Sequence, residues 1–287
     1  MKSYIIVLIA DILLACNFSF QKLYTQKTDN SVSNGLLYNI LTGSIGCIIL
    51  FIVNGFSVEI TPFSLLCAFL QTLCVASYTL ISFKILKLGN LSLYTLFLMT
   101  GGMILPYIFG LIFLDESFSV MTCIGLVLIA ISIAITNTGP AKPSKKQILL
   151  CLLVFVLNGF TSIIAKVHQV NTDYRIICSE SFAFWTNFLK ALVCIPFYPR
   201  LRKKSSAKFH LEPTVLAAVC FAGIASSISY VFQLSGAVNI PATVLYPLIT
   251  GGSIIFSSAA GFLFKEKISK NQITAIIICF TGTCMFI

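Results

Sequence analysis

An all-helical integral membrane protein, with ten transmembrane helices arranged as two inverted five-helix repeats, is the fold class this sequence predicts. Three observations lead there. Of the 287 residues, 57% are hydrophobic and 10% are charged, and the mean hydropathy is +0.97. That leaves too little charged surface for a water-soluble domain. The apolar residues also fall in runs of the length that spans a bilayer, roughly 18 residues or more. Finally, residues 98–116, LMTGGMILPYIFGLIFLDE, are echoed at 248–266 by LITGGSIIFSSAAGFLFKE, with six identities at a constant offset of 150.

Taken in order, the spans read as 4–24, 34–54, 62–84, 91–114, 118–137, 147–167, 178–198, 213–234, 241–264 and 270–287. Asp11 and Asn17 interrupt the first run and no small-residue cleavage site follows it. It therefore reads as a retained helix and not as a signal peptide. Only 138–146 and 199–212 form long polar connections. The first, TGPAKPSKK, divides the spans five and five, giving repeats at 1–137 and 147–287 around a linker at 138–146. Because five is odd, the second repeat enters the membrane upside down relative to the first. Inverted repeats meeting near the midplane are a recurrent transporter architecture, since two similar halves can exchange conformations around a central site.

The net charge of +10 is explained by membrane orientation and not by nucleic acid. Of 19 Lys and Arg, 13 lie in the connections after odd-numbered spans, among them Lys27, Lys87, Lys145, Lys146 and a cluster at 200–208. Lys2 and Arg175 lie in the other set, which instead holds Glu59, Asp115, Glu116, Asp173 and Glu180. Positive residues concentrate on the cytoplasmic side, so the charges place both termini outside. The eleven cysteines fall almost entirely within the spans and form no Cys-x-x-Cys pair, as expected of small packing residues. No metal set and no cofactor is expected.

Polar groups inside spans are costly, about 2.5–3.5 kcal/mol for a charge near the centre, and become functional candidates by default. Asp11 is the deepest acid of the first half and the candidate for proton coupling. Asn17 and Lys22 follow it, and Lys166 is the counterpart of Lys22 in the second half. Late in the third span, Ser77, Ile81 and Lys84 share a helical face with Tyr78 beside it, and Ser226, Tyr230 and Gln233 repeat that spacing. Lys190 is a further cation within a span. In the Thr-Gly-Gly stretches, glycine permits close helix approach and weakens the helix by about 1 kcal/mol. Pro247, three residues before Thr250, makes the second copy the more prone to break. Matched Gly/Pro interruptions point to a transporter's site. The expected substrate-binding set is Asn17, Tyr78, Lys84, Tyr94, Tyr230, Gln233, Tyr246 and Thr250.

These features together resemble the drug/metabolite transporter superfamily, in its EamA-like ten-helix branch. The resemblance rests on CNFSFQK at 16–22, on Ser77-Tyr78 and Ser229-Tyr230, on the acidic residues closing the fourth span of each half, and on VLYPLITGG at 244–252. The chain departs from the family's Gly-Glu closure with Asp115-Glu116 and Lys265-Glu266, and it has Phe97 where the second half has Pro247. The resemblance implies termini inside, opposite to the charge bias.

The expected function is secondary transport, in the export direction, of a small polar or amphipathic metabolite or drug across the plasma membrane by alternating access. The expected partners are the lipid bilayer and the solute, with no nucleic acid, in a monomer or homodimer. Competing readings are a lipid-modifying membrane enzyme and a non-transporting scaffold or sensor. Enzyme chemistry lacks a constellation: His168 and His210 lie in or beside connections without a useful partner, and the one carboxylate pair is the adjacent Asp115-Glu116.

Overall fold

The computed structural model describes residues 2–28, 31–87, 91–136, 144–202, 212–263 and 270–286. Helices account for nearly all of them, as membrane burial requires: a backbone without water must satisfy its own hydrogen bonds. In chain order they are α1 (Lys2–Lys27), α2 (Val32–Val53), α3 (Pro62–Lys87), α4 (Leu91–Phe113), α5 (Val120–Thr136), α6 (Lys145–Val170), α7 (Ser179–Cys194), the short α8 (Phe197–Arg202), α9 (Pro213–Asn239), α10 (Ala242–Leu263) and α11 (Lys270–Cys284). Seven of them, α1–α4, α6, α9 and α10, contain stretches long and apolar enough to cross a membrane, while the apolar parts of α5 and α11 are shorter. At 16 residues, α7 carries Glu180 and Lys190 and ends at a turn before α8, so the span expected at 178–198 is two helices.

Local chemistry sets the helix ends. Ser144 starts α6 with a reciprocal cap: its hydroxyl accepts from Gln147 N at 3.3 Å, and its own N–H donates to Gln147 Oε1 at 2.7 Å. Ser31 caps α2 by accepting from Asn34 N. Pro213 begins α9, where its missing N–H costs nothing. Between α2 and α3 the chain reverses through Gly55 and Phe56, both at positive φ, and the Asn54 amide holds the turn by donating to Ser57 O at 2.6 Å. Pro247 lies within α10, and the helix continues through it. The expected break at that proline does not occur: membrane helices packed in a bundle tolerate proline, and α4 likewise runs on through Pro106.

The two halves of the chain interleave. The main partners of α1 are α9 and α10, and those of α6 are α3 and α4. Likewise α2 packs on α7 and α9, α7 packs on α2 and α3, α4 meets α10, and α5 meets α11. Exchanging α1–α5 for α6, α7, α9, α10 and α11 in order maps these pairings onto themselves. The α5–α11 contact shows it at atomic scale: a methyl group on Gly125 would sit 2.8 Å from Gly282 O, and one on Gly282 would sit 2.9 Å from Gly125 O. Absent side chains let the backbones touch.

Large apolar side chains such as Ile48, Ile112, Leu149 and Ile277 are exposed, each at 60% or more. An apolar exterior of this extent belongs in lipid, since soluble monomers rarely show large contiguous apolar patches. The chain is an integral, multi-pass membrane protein.

Candidate functional site

A cavity of about 390 Å³ lies where α1, α3, α4, α6, α9 and α10 converge. From α9 come Ser226, Tyr230 and Gln233, spaced four and three residues apart so that they share a face. Gln71 and Tyr78 of α3 face them, α6 contributes Asn158, Thr161 and Ser162, and α10 contributes Tyr246, Thr250 and Ser253. Leu14 and Phe18 of α1, with Leu98 and Met99 of α4, supply apolar wall. None of the described lining residues carries a formal charge.

Hydrogen bonds fix the polar wall in place. Tyr230 and Gln71 pair across α9 and α3, the phenol donating to Oε1 at 2.9 Å and accepting from Nε2 at 2.6 Å. Tyr246 OH donates to Ser162 O, joining α10 to α6. Gln233 Nε2 donates to Ser229 Oγ at 3.1 Å, and Ser229 Oγ donates to Ala10 O at 2.7 Å, which ties the wall to α1. Asn158 Nδ2 donates to Leu98 O at 2.7 Å, and Thr161 Oγ1 bonds within α6 to Asn158 O at 2.6 Å. Such a wall offers neutral donors and acceptors on rigid helices, with apolar surface between them. That suits an amphipathic solute more than an ion.

At one end of the cavity, the turn from α9 to α10 is held from both sides. Lys166 Nζ donates to Ala237 O and Ile240 O at 2.7 Å each. Glu116 accepts from Ala242 N through Oε1 at 2.6 Å and from Thr243 N through Oε2 at 2.8 Å. A cation thus meets the carbonyl end of α9, and an anion meets the amide end of α10, each in the favourable sense of the helix dipole. Ala165 and Ala237, beside this clamp, line the cavity.

Of the residues singled out from sequence, Tyr78, Tyr230, Gln233, Tyr246 and Thr250 line the cavity. Asn17 does not; it accepts from Tyr38 OH at 3.4 Å, toward α2. Tyr94 packs with Tyr78 around Cys151 and Val154, outside the lining. The side chain of Lys84 lies outside the described residues, as do Glu266 and His210. Ser77, expected on a polar face of α3 that matches the face of Ser226 on α9, is exposed, because α3 turns Gln71 and Tyr78 inward instead. Lys190 packs against Gly43 of α2, away from the cavity. Lys166 neither snorkels nor enters the cavity; it is 4% exposed and bonded to backbone. His168, expected to be peripheral, is fully buried. It bonds Ser64 Oγ at 2.8 Å and stacks on Phe182 with ring centroids 3.9 Å apart, a structural histidine. Gln71, Asn158, Thr161, Ser162 and Ser253 were missed. Their one signal was isolated polarity within apolar runs.

Asp11 is 0% exposed, and neither carboxylate oxygen has a hydrogen-bond partner among the described residues. It packs against Gly252, whose missing side chain makes the space that its Oδ2 occupies.

Interleaved halves around a cavity that is uncharged along its described lining are a build met among membrane transporters, and one comparison names a transporter family. Residues 145–287 match the EamA-like transporter family, and the chain belongs to that family. A solved crystal structure shares the fold, with a TM-score of 0.77 at 18% identity over 99% of this chain and 96% of the other. No curated protein matches the chain in sequence.

Proposed function

We propose that this protein is a secondary transporter that carries a small polar or amphipathic metabolite or drug through the cavity by alternating access between inverted repeats. On this reading ten segments cross the bilayer, α7 with α8 serving as one crossing, and the plasma membrane is the site of export. The observation that carries the proposal is the cavity itself, walled by equivalent helices of both halves (α1 and α6, α3 and α9, α4 and α10) and neutral along its described lining. A site at the junction of exchange-related helices is where two similar halves can open to opposite sides. The charge bias sets the termini outside.

Flux of a radiolabelled solute panel into liposomes tests the reading. Uptake of at least one neutral amphipathic solute is expected, and no flux of any solute by verified folded protein would overturn it. Tyr230→Phe, which unpairs Gln71, should weaken the transported solute about tenfold, the scale of one buried polar contact. Impermeant thiol labelling of whole cells with a cysteine at Lys203 checks orientation: labelling from outside would reverse the assignment.

A further inference from the structure

Asp11, Leu14 and Phe18 lie three and four residues apart on one face of α1, and the latter two line the cavity. Asp11 therefore stands one turn beyond the cavity wall, buried, with both oxygens unpartnered among the described residues. An ionised carboxylate left so costs several kcal/mol.

The other half of the molecule contains the same arrangement with a different ending. Gly102 of α4 leaves room for the Asn158 amide of α6, as Gly252 of α10 leaves room for the Asp11 carboxyl of α1. The two glycines occupy equivalent places in the repeated Thr-Gly-Gly. Asn158 completes its site by donating to the carbonyl of Leu98, four residues before Gly102, at 2.7 Å. In α10 the residue four before Gly252 is Leu248. A carboxylate has no hydrogen to donate to a carbonyl, whereas a carboxylic acid has one.

We propose that Asp11 is a proton-binding site: it carries a proton in this state, which leaves it neutral in its buried place against Gly252, and releases that proton during the transport cycle. Release breaks the O–H bond, leaves the electron pair on the carboxylate and passes the proton to water. The ionised group then no longer fits between α1 and Gly252, so the two helices separate. Proton movement is thereby coupled to movement of α1 at the cavity wall. The main helices packed against α1 are α9 and α10. Their described residues hold no charged side chain, and their titratable groups are Cys220, Tyr230 and Tyr246. On α1 itself stand Lys2, Tyr4, Cys16, Lys22, Tyr24 and Lys27, none bonded to Asp11. This inference rests on the transport reading, but its first step is observable without transport.

The test uses full-length protein in lipid and the variant Asp11→Asn, which installs the side chain found at Asn158 and keeps the donor. Infrared spectra at neutral pH should show a buried carboxylic-acid carbonyl band in the wild type that is missing from Asp11→Asn. In liposomes, uptake of radiolabelled leucine, phenylalanine or adenosine should respond to an imposed pH gradient in the wild type. The variant should lose that response while retaining solute exchange at equal pH. Absence of the band, its persistence in Asp11→Asn, or wild-type flux indifferent to the gradient would each overturn the proposal. No flux from wild type with the band present would count against the transport reading and remove the coupling, while the proton site would stand.

Discussion

Lys22 and Lys166 end matching stretches in the two halves, NFSFQK and FTSIIAK, and they meet opposite fates. Lys166 is buried and bonded to two carbonyls at the end of α9, whereas Lys22 is exposed. The matching side chains thus serve different ends of the molecule. Around Lys166 the α9–α10 turn is drawn tight, with Glu116 holding its other side. The lesson is that matching stretches of sequence need not play equivalent parts within one conformation.

The comparison can be broken by substitution, with the largest effect expected at Lys166. Lys166→Met leaves two carbonyls without their donor and Glu116 without a neighbouring cation, and should cost about 3 kcal/mol by thermal unfolding in detergent. The same variant should open the turn: a cysteine at Ala237, slow to react with a thiol reagent in the wild-type background, should become reactive when combined with Lys166→Met. Glu116→Gln keeps one acceptor and turns the other into a donor facing an N–H. A loss of about 1–2 kcal/mol is expected. Because both residues hold one turn, the double variant should fall short of the sum by about 1 kcal/mol; full additivity would mean that they act independently. Lys22→Met should change stability by no more than about 0.5 kcal/mol, the scale of surface substitutions. A Lys22 effect as large as that of Lys166 would erase the contrast.

The helices were legible in the sequence because a bilayer imposes both length and apolarity, and the doubled Thr-Gly-Gly was legible because close packing needs small residues at fixed places. Tyr230 and Gln233 could be placed together from spacing alone, since α9 is regular across them. Less could be read where the partner is backbone. Lys166 binds carbonyls of Ala237 and Ile240, and carbonyls leave no trace in residue identity; sequence could only weigh a headgroup against a cavity. Glu116 could be read only as the acid closing the fourth span for the same reason, its partners being the N–H groups of Ala242 and Thr243. On α3 the expected polar face ran through Ser77 with Tyr78 beside it, whereas Tyr78 lines the cavity and Ser77 is exposed, because helical spacing gives a face its period but not its direction. Pro247 was weighed by type alone, whereas a helix packed in a membrane bundle tolerates the residue, as α4 does at Pro106.

The hydrogen bond from Ser229 to Ala10 closes across 219 residues, and this distance has a consequence for synthesis. The ribosome delivers α1 long before α9 and α10 exist to pack against it. During that interval the first helix has to wait in the membrane with its acid lacking its final surroundings, shielded by the insertion machinery or by a proton. A chain stopped ahead of α9 has no way to complete its own beginning, so such fragments should be short-lived in the cell, recognised by polar residues such as Asp11, Gln71 and Lys166 whose final surroundings are missing.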